Sequence, residues 1–251
     1  MDRFFVSPRE LEGDEAVLGR ELSHRLRHVL RLRPGARVIL VDGHGGEYEV
    51  ELTDVSSPAV RAAILSRREG LPEPDARVVL YQSIIKGDRF DWVLEKGTEI
   101  GVAKFVPLLS RRSVVRPRPG RLERRERWLR IITEAAEQCG RSHLPELAPP
   151  ASLNEAVESA EGLRLLPWEG ENEATLRRLL RSSLANEKTP VVSIFVGPEG
   201  GFARQEVDRA VELGARIVSL GPRTLRSETA GIVAAAAGPL RAGRAGRVGG
   251  P

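Results

Sequence analysis

Hydrophobic and polar positions along this chain change their rhythm near residue 70. Before that point the apolar runs are short: Arg3 to Val6, Arg37 to Val41, Glu47 to Thr53 with Tyr48, Val50 and Leu52 on one face, and Ala59 to Leu65. Runs of this kind predict strands. Asp42-Gly43-His44-Gly45-Gly46 supplies a hairpin turn rich in residues that tolerate positive φ. One helix is predicted, from Glu21 to Leu32, with Leu22, Leu26, Val29 and Leu30 on its inward face, and Pro34-Gly35 forces a turn beyond it. Several short strands with one helix predict a small β-barrel over residues 1–70, with the basic helix on its surface.

Glu69-Gly70-Leu71-Pro72-Glu73-Pro74 marks the boundary. Beyond it strands alternate with helices. Strands are expected at Val78–Ile84, Phe105–Leu109, Leu163–Leu166, Val191–Val196 and Arg216–Leu220. The first intervening helix is expected to start at an Asp88 cap and to bury Phe90, Val93, Leu94, Gly97 and Ile100. Further helices are expected at Leu122–Cys139, Ser152–Ala160, Thr175–Leu184, Gln205–Leu213 and Thr229–Leu240. This alternation predicts an α/β unit over 75–242, a mostly parallel sheet covered on both faces. The tail from 243 to 251 has too little apolar content to join a core.

Composition narrows the function classes. With 251 residues and 41% hydrophobic content the chain can build a substantial core. No apolar run approaches the roughly 20 residues that span a bilayer, and Met-Asp-Arg-Phe-Phe does not open a secretory signal. A cytoplasmic location and no membrane association are expected. Cys139 is the only cysteine and the four histidines are scattered, so no metal site is expected. His24 and His28 lie four apart on the predicted helix, with no third ligand evident beside them.

Charge changes the picture more than composition does. The net charge is only +4, yet there are four lysines among 39 basic side chains, so nearly all are arginine. A GC-rich coding genome explains such a bias but not its clustering. Arg20, Arg25, Arg27, Arg31, Arg33 and Arg37 crowd one region; Arg111, Arg112, Arg116, Arg118, Arg121, Arg124, Arg125, Arg127 and Arg130 crowd another. Forked guanidinium contacts suit phosphate. Two basic patches on a nearly balanced chain point to a polyanion partner, against the plainer alternative of a solvated face.

Two glycine-proline corners carry the candidate chemistry. Val196-Gly197-Pro198-Glu199-Gly200-Gly201-Phe202 and Leu220-Gly221-Pro222-Arg223-Thr224-Leu225-Arg226-Ser227-Glu228-Thr229-Ala230 each follow a predicted strand. Ligands of open α/β sheets bind at such strand ends. Neither corner matches a dinucleotide or P-loop fingerprint, and no Gly-x-Ser-x-Gly elbow is present. What remains suits a polar cofactor held largely by backbone groups.

These two corners resemble the signature loops of the RsmE family, SPOUT-class methyltransferases that modify N3 of a uridine in small-subunit ribosomal RNA. The resemblance extends to Arg3-Phe4-Phe5, His24 with Val29-Leu30-Arg31, Lys86-Gly87-Asp88-Arg89, Glu95-Lys96-Gly97-Thr98-Glu99-Ile100-Gly101, and Glu134, Glu137-Gln138 and Arg141. It implies a PUA-like barrel over 1–70, a SPOUT sheet with a deep trefoil knot over 75–242, S-adenosylmethionine as methyl donor, small-subunit RNA or the 30S subunit as partner, and a homodimer. Carried onto this chain, the cofactor walls are Leu166-Pro167, Gly197, Pro198, Glu199, Gly200 and Gly201, and Leu220, Gly221, Arg223, Thr224 and Leu225. The RNA-facing residues are His24, Arg25, Arg27, Arg31, Arg111, Arg112, Gln138 and Arg141. Glu228 is the candidate base for the imide proton and Arg226 the candidate stabiliser of the resulting charge. For Glu228, capping of the last helix stands as an equal alternative. Other readings are another RNA position or a ribose 2′-oxygen as target, or a non-catalytic RNA-binding assembly factor. One departure is Ala203, where the family commonly has Ser or Thr to complete a capping box with Glu206.

Overall fold

The computed structural model describes residues 1–113, 122–183 and 190–237. Arg116, Arg118 and Arg121 of the second basic cluster, and the 243–251 tail, lie outside the described residues. The chain divides into two units: Met1–Glu73 with Thr133–Leu144, and Pro74–Ile132 with the described residues from Pro145 onward.

The first unit holds one six-stranded sheet. Its strands are β1 (Arg3–Phe5), β2 (Leu11–Glu12), β3 (Glu15–Val17), β4 (Arg37–Val41), β5 (Gly46–Asp54) and β6 (Arg61–Glu69), in the order β1-β4-β5-β6-β3-β2. The β1–β4 pair is parallel and the other pairs are antiparallel. The turn between β4 and β5 forms as its residues dictate: Gly43 and Gly45 take φ of 79° and 107°, and Asp42 Oδ1 accepts the N–H groups of His44 and Gly46 at 2.8 and 3.0 Å. Alternate strand positions, including Phe4, Val38, Leu40, Val50, Leu52 and Ala62, share one core with Leu18 and Leu26.

The helix expected over Glu21–Leu32 is interrupted. Helix α1 covers Arg20–His24 and gives way to a wider turn over Arg25–Val29, closed by the Leu30 N–H on the Arg25 carbonyl at 2.9 Å. Each turn of this kind takes an extra residue, which carries later side chains off the expected face. Leu26 is fully buried, whereas Val29 and Leu30 are 65% and 37% exposed.

Thr133–Leu144 joins the first unit through buried polar chemistry that the pattern of apolar residues could not reveal. Glu47, only 2% exposed, accepts from Arg3 at 2.6 Å, Ser142 at 2.5 Å and Arg68 at 3.0 Å. Burial by itself would lift its carboxyl, but the hydrogen bonds from Arg3, Ser142 and Arg68 and the nearby Arg3 charge outweigh it and hold the group at about 2. Glu137 accepts the Phe5 N–H at 3.2 Å and Arg25 at 2.9 Å. Burial pushes its carboxyl up, only partly offset by Arg25.

The second unit is an entirely parallel sheet. Its strands are β7 (Arg77–Ser83), β8 (Lys104–Leu109), β9 (Glu146–Leu147), β10 (Ala151–Ser152), β11 (Leu163–Pro167), β12 (Val191–Val196) and β13 (Arg216–Val218). The order is β10-β8-β7-β12-β11-β13, with β9 also pairing on β8. The period-2 alternation of β7 sends Val78 and Leu80 to one face and Val79 and Tyr81 to the other. The first face is covered by α2 (Arg89–Glu99), α3 (Leu122–Cys139), α5 (Leu176–Ser183) and α7 (Ser227–Ala237), the second by α4 (Leu153–Ser159) and α6 (Arg204–Glu212). Helices on both faces follow from strands that are apolar on both.

Asp88 stands at the N-cap position of α2 as expected, but its side chain makes no capping hydrogen bond; its carboxylate pairs with Arg127 at 3.1 Å. The α2 core face is Phe90, Val93, Leu94, Gly97 and Thr98, with Ile100 only partly buried. Helix α6 starts directly after Ala203 although Ala203 offers no side-chain acceptor. Glu206 supplies the other half of the box, its Oε2 accepting the Ala203 N–H at 2.9 Å.

Candidate active site

Strands β7, β12, β11 and β13 are neighbours, so the loops that follow them emerge side by side at the carboxyl edge of the sheet. The loop after β13 is fixed by the backbone. The Ser219 N–H donates to the Ala174 carbonyl at 2.8 Å, the Leu176 N–H to the Ser219 carbonyl at 3.1 Å, and the Trp168 N–H to the Val218 carbonyl at 3.1 Å. These bonds draw the segments after β11 and β13 together around a cavity of about 150 Å³. Its walls are Pro167, Trp168, Glu169, Glu171 and Asn172 on one side, and Ser219 to Leu225 with Ala230 on the other.

The cavity thus gathers Pro167, Leu220, Gly221, Arg223, Thr224 and Leu225 from the expected cofactor walls. Leu166 contributes no side chain, being fully buried in the core beside Phe195. Gly197 to Gly201 form a separate turn after β12, closed by the Gly201 N–H on the Pro198 carbonyl at 2.9 Å. A Cβ on Gly197 would stand 3.1 Å from backbone atoms of Gly201 and Phe202, and Gly201 has φ of 65°. The turn borders the cavity wall: a Cβ on Gly201 would lie 3.2 Å from the Glu169 carboxylate. Glu199 faces elsewhere, its Oε1 accepting the Lys86 N–H at 3.1 Å and pairing with Arg89 at 3.2 Å.

The two catalytic candidates stand at the start of α7. The Arg226 carbonyl accepts the Ala230 N–H at 2.8 Å, and its side chain is exposed. Glu228 is 8% exposed and its Oε2 is buried without a hydrogen-bond partner. An unmet buried acceptor costs about 1–3 kcal/mol, which a donor on a bound molecule would recover. With a cavity between two loops, a glycine turn that a Cβ would fill and an orphaned carboxylate oxygen, these residues fit a small polar cofactor and a polar substrate.

The RNA-facing candidates fall in different settings. His24 and Arg31 are exposed. Arg25 pairs with Glu137 and lies 5.0 Å from the Phe4 ring, and Arg27 donates to the Ser57 carbonyl at 3.1 Å. Gln138 is exposed, whereas the Arg141 side chain is 10% exposed and pairs with Glu73. Arg111 donates to Gln205 at 2.6 Å, and Arg112 to the Gly200 carbonyl at 2.8 Å. Trp168, Glu169, Glu171 and Asn172 were not among the expected site residues. The signal for them was present, since Pro167-Trp168-Glu169 ends a predicted strand beside the two corners.

A family model described as an RNA methyltransferase domain matches residues 72–238, and one described as an RNA methyltransferase PUA domain matches residues 18–65. The Ribosomal RNA small subunit methyltransferase E of Synechocystis is 36% identical, with 93% of this chain and 76% of that protein aligned. The protein of the same name from Bacillus subtilis is 30% identical over 94% of this chain and 95% of its own. The crystal structure of Ribosomal RNA small subunit methyltransferase E from Neisseria gonorrhoeae, bound to S-adenosyl methionine, superposes with a TM-score of 0.80 at 31% identity, covering 94% of this chain and 96% of that one.

Proposed function

This chain belongs to the RNA methyltransferase family, and from that premise we propose that it transfers a methyl group from S-adenosylmethionine to N3 of a uridine in small-subunit (16S) ribosomal RNA. The observation that carries the reading is the cavity between the β11 and β13 loops, with the orphaned Glu228 oxygen at the adjoining helix start.

When bound, S-adenosylmethionine supplies an electrophilic methyl on a sulfonium. The chain's own residues position and deprotonate. Leu220 to Leu225, with Pro167, would hold the cofactor, with the Gly197–Gly201 turn bordering the same cavity. Holding two reactants in line supplies much of the rate of a displacement. The uracil imide keeps its N3 proton at neutral pH, so Glu228 accepts it while Arg226 faces the developing negative charge. The Oε2 without a partner favours this role over pure capping.

The same reading extends to architecture and setting. Residues 1–70 act as a PUA-like RNA-binding barrel and 75–242 as the catalytic SPOUT unit with its trefoil knot. The active form is a homodimer. Supporting this, Trp92 and Val233, on the packed helices α2 and α7, are left 39% and 43% exposed. Among the described residues no helix is long and apolar enough to cross a membrane. The reading places the protein in the cytoplasm with its ribosomal substrate.

The test is to incubate the protein with isotope-labelled S-adenosylmethionine and either 16S RNA or 30S subunits, then digest and identify the labelled nucleoside by mass spectrometry. 3-Methyluridine is expected. A ribose-methylated or other base-methylated nucleoside would replace the proposed target, and no transfer to either substrate would favour a binding factor.

A further inference from the structure

Two side chains, Gln82 and Ser227, and the Gly197 carbonyl form a relay at the carboxyl edge of the sheet. Gln82, the next-to-last residue of β7, is 1% exposed. Its Nε2 donates to the Ser227 hydroxyl at 2.9 Å. The Ser227 hydroxyl in turn donates to the Gly197 carbonyl. The chain of bonds therefore runs from the central strand, through the first residue of α7, to the turn after β12. Ser227 lies between the two catalytic candidates, Arg226 and Glu228. Its hydroxyl is both acceptor and donor here, using its one donor and one of its two acceptor positions.

The surroundings show that the relay is built for. A Cβ on Gly231 would come within 2.4 Å of Gln82 Oε1, so a glycine one turn into α7 lets the helix settle over the amide. Gln82 Oε1 itself has no partner. A buried amide that leaves its oxygen unmet costs stability, so an apolar residue at 82 would serve the fold better. A group retained against stability at the edge of a proposed site is a candidate for a role in that site.

We infer that Gln82 and Ser227 are positioning residues: together they lock the Gly197–Gly201 turn to the start of α7, and so fix Arg226 and Glu228 relative to the cofactor cavity. The inference rests on the proposed methyl transfer for its kinetic consequence but not for its structural one. Neither residue touches the reacting atoms. The turn keeps its own Gly201–Pro198 bond and its outward contacts from Glu199 to Lys86 and from Arg112 to Gly200, so breaking the relay loosens its tie to α7 without unfolding it.

The experiment compares Ser227→Ala, Ser227→Thr, Gln82→Leu and the Ala–Leu double variant. Amide hydrogen exchange over residues 197–202 is read in the protein alone, and single-turnover methylation of 16S RNA is read at saturating S-adenosylmethionine. Ser227→Ala and Gln82→Leu should each speed exchange of the turn about tenfold, since each removes a hydrogen bond. Each should slow the methylation step by a similar factor, with a melting temperature near that of the parent. The double variant should be no worse than the singles, because one relay is broken only once. Ser227→Thr, which keeps the hydroxyl, should restore the protection of the turn. Unchanged exchange in Ser227→Ala, losses that multiply in the double variant, or Ser227→Thr behaving as Ser227→Ala would overturn the inference. If the parent protein methylates no RNA, the proposed function fails, and the exchange results still decide the relay.

Discussion

Replacing Gly197 with alanine separates a cofactor cradle from an ordinary turn. The new Cβ would lie 3.1 Å from the Gly201 carbonyl carbon and the Phe202 nitrogen, and 3.3 Å from the Gly201 Cα. All three are backbone atoms, so no side chain can rotate away. The turn would have to open by a few tenths of an ångström against its own Gly201–Pro198 bond and the Ser227 contact. Overpacking of this kind costs about 1–3 kcal/mol. If that strain falls on the conformation that binds, affinity for S-adenosylmethionine drops about 10- to 100-fold. Gly201→Ala adds a left-handed backbone penalty of about 1–2 kcal/mol to a 3.2 Å approach to Glu169, and should weaken binding at least as much. Calorimetric titration of each variant, beside its melting temperature, is the assay. Affinity within twofold of the parent for both variants, in proteins that still melt cooperatively, would show that the turn does not shape the cofactor site.

Other consequences can be checked separately. Ala203→Ser should supply the missing cap of α6 and stabilise the protein by about 1 kcal/mol, raising the melting temperature by about 2–4 °C; no rise would mean that Glu206 already meets the need. Glu47 has a folded-state pKa below its unfolded one, so its contribution is present above about pH 4.5 and is lost as pH falls toward about 2. Glu47→Gln should therefore remove about 1–3 kcal/mol at pH 7, allowing for solvent screening at the exposed Arg68, and flatten the acid limb of denaturant-measured stability between those pH values; a parallel limb would contradict the assignment. Arg27 and Arg31 replaced together should weaken RNA binding and lower its salt slope while cofactor affinity holds, whereas an unchanged slope removes them from the interface. Glu228→Gln keeps the shape but not the base, so single-turnover methylation should fall about 10²- to 10⁴-fold with little change in cofactor affinity; full activity would leave Glu228 as a structural residue.

Most of the α/β half was legible in the sequence, because its five longer strands are apolar runs; the two-residue strands β9 and β10 carry no such run and were not expected. Val191–Val196 was bounded correctly by pattern alone. Expectations slipped where side chains found partners other than those the local pattern suggested. Asp88 holds the cap position of α2, but its carboxylate pairs with Arg127, a long way off in sequence. Glu21–Leu32 reads as one amphipathic helix, but the wide turn at Arg25–Val29 is set by how the chain must leave Leu26 in the core. Thr133–Leu144 reads as the end of a helix in the second unit, yet Ser142 and Glu137 are claimed by Glu47, Phe5 and Arg25. The glycine-proline corners were legible because their backbone needs are written in residue type. The Gln82–Ser227–Gly197 relay was not, since polar residues far apart in sequence announce no partnership until the strands are laid side by side.

The account stands most directly on where the methyl donor lies. A crystal structure of the protein with S-adenosylmethionine should show it in the cavity between the β11 and β13 loops, bonded to backbone groups of Leu220 to Leu225, with its methyl group directed toward the side on which Arg226 and Glu228 stand. A cofactor bound elsewhere, or a methyl group turned away from both residues, would contradict it.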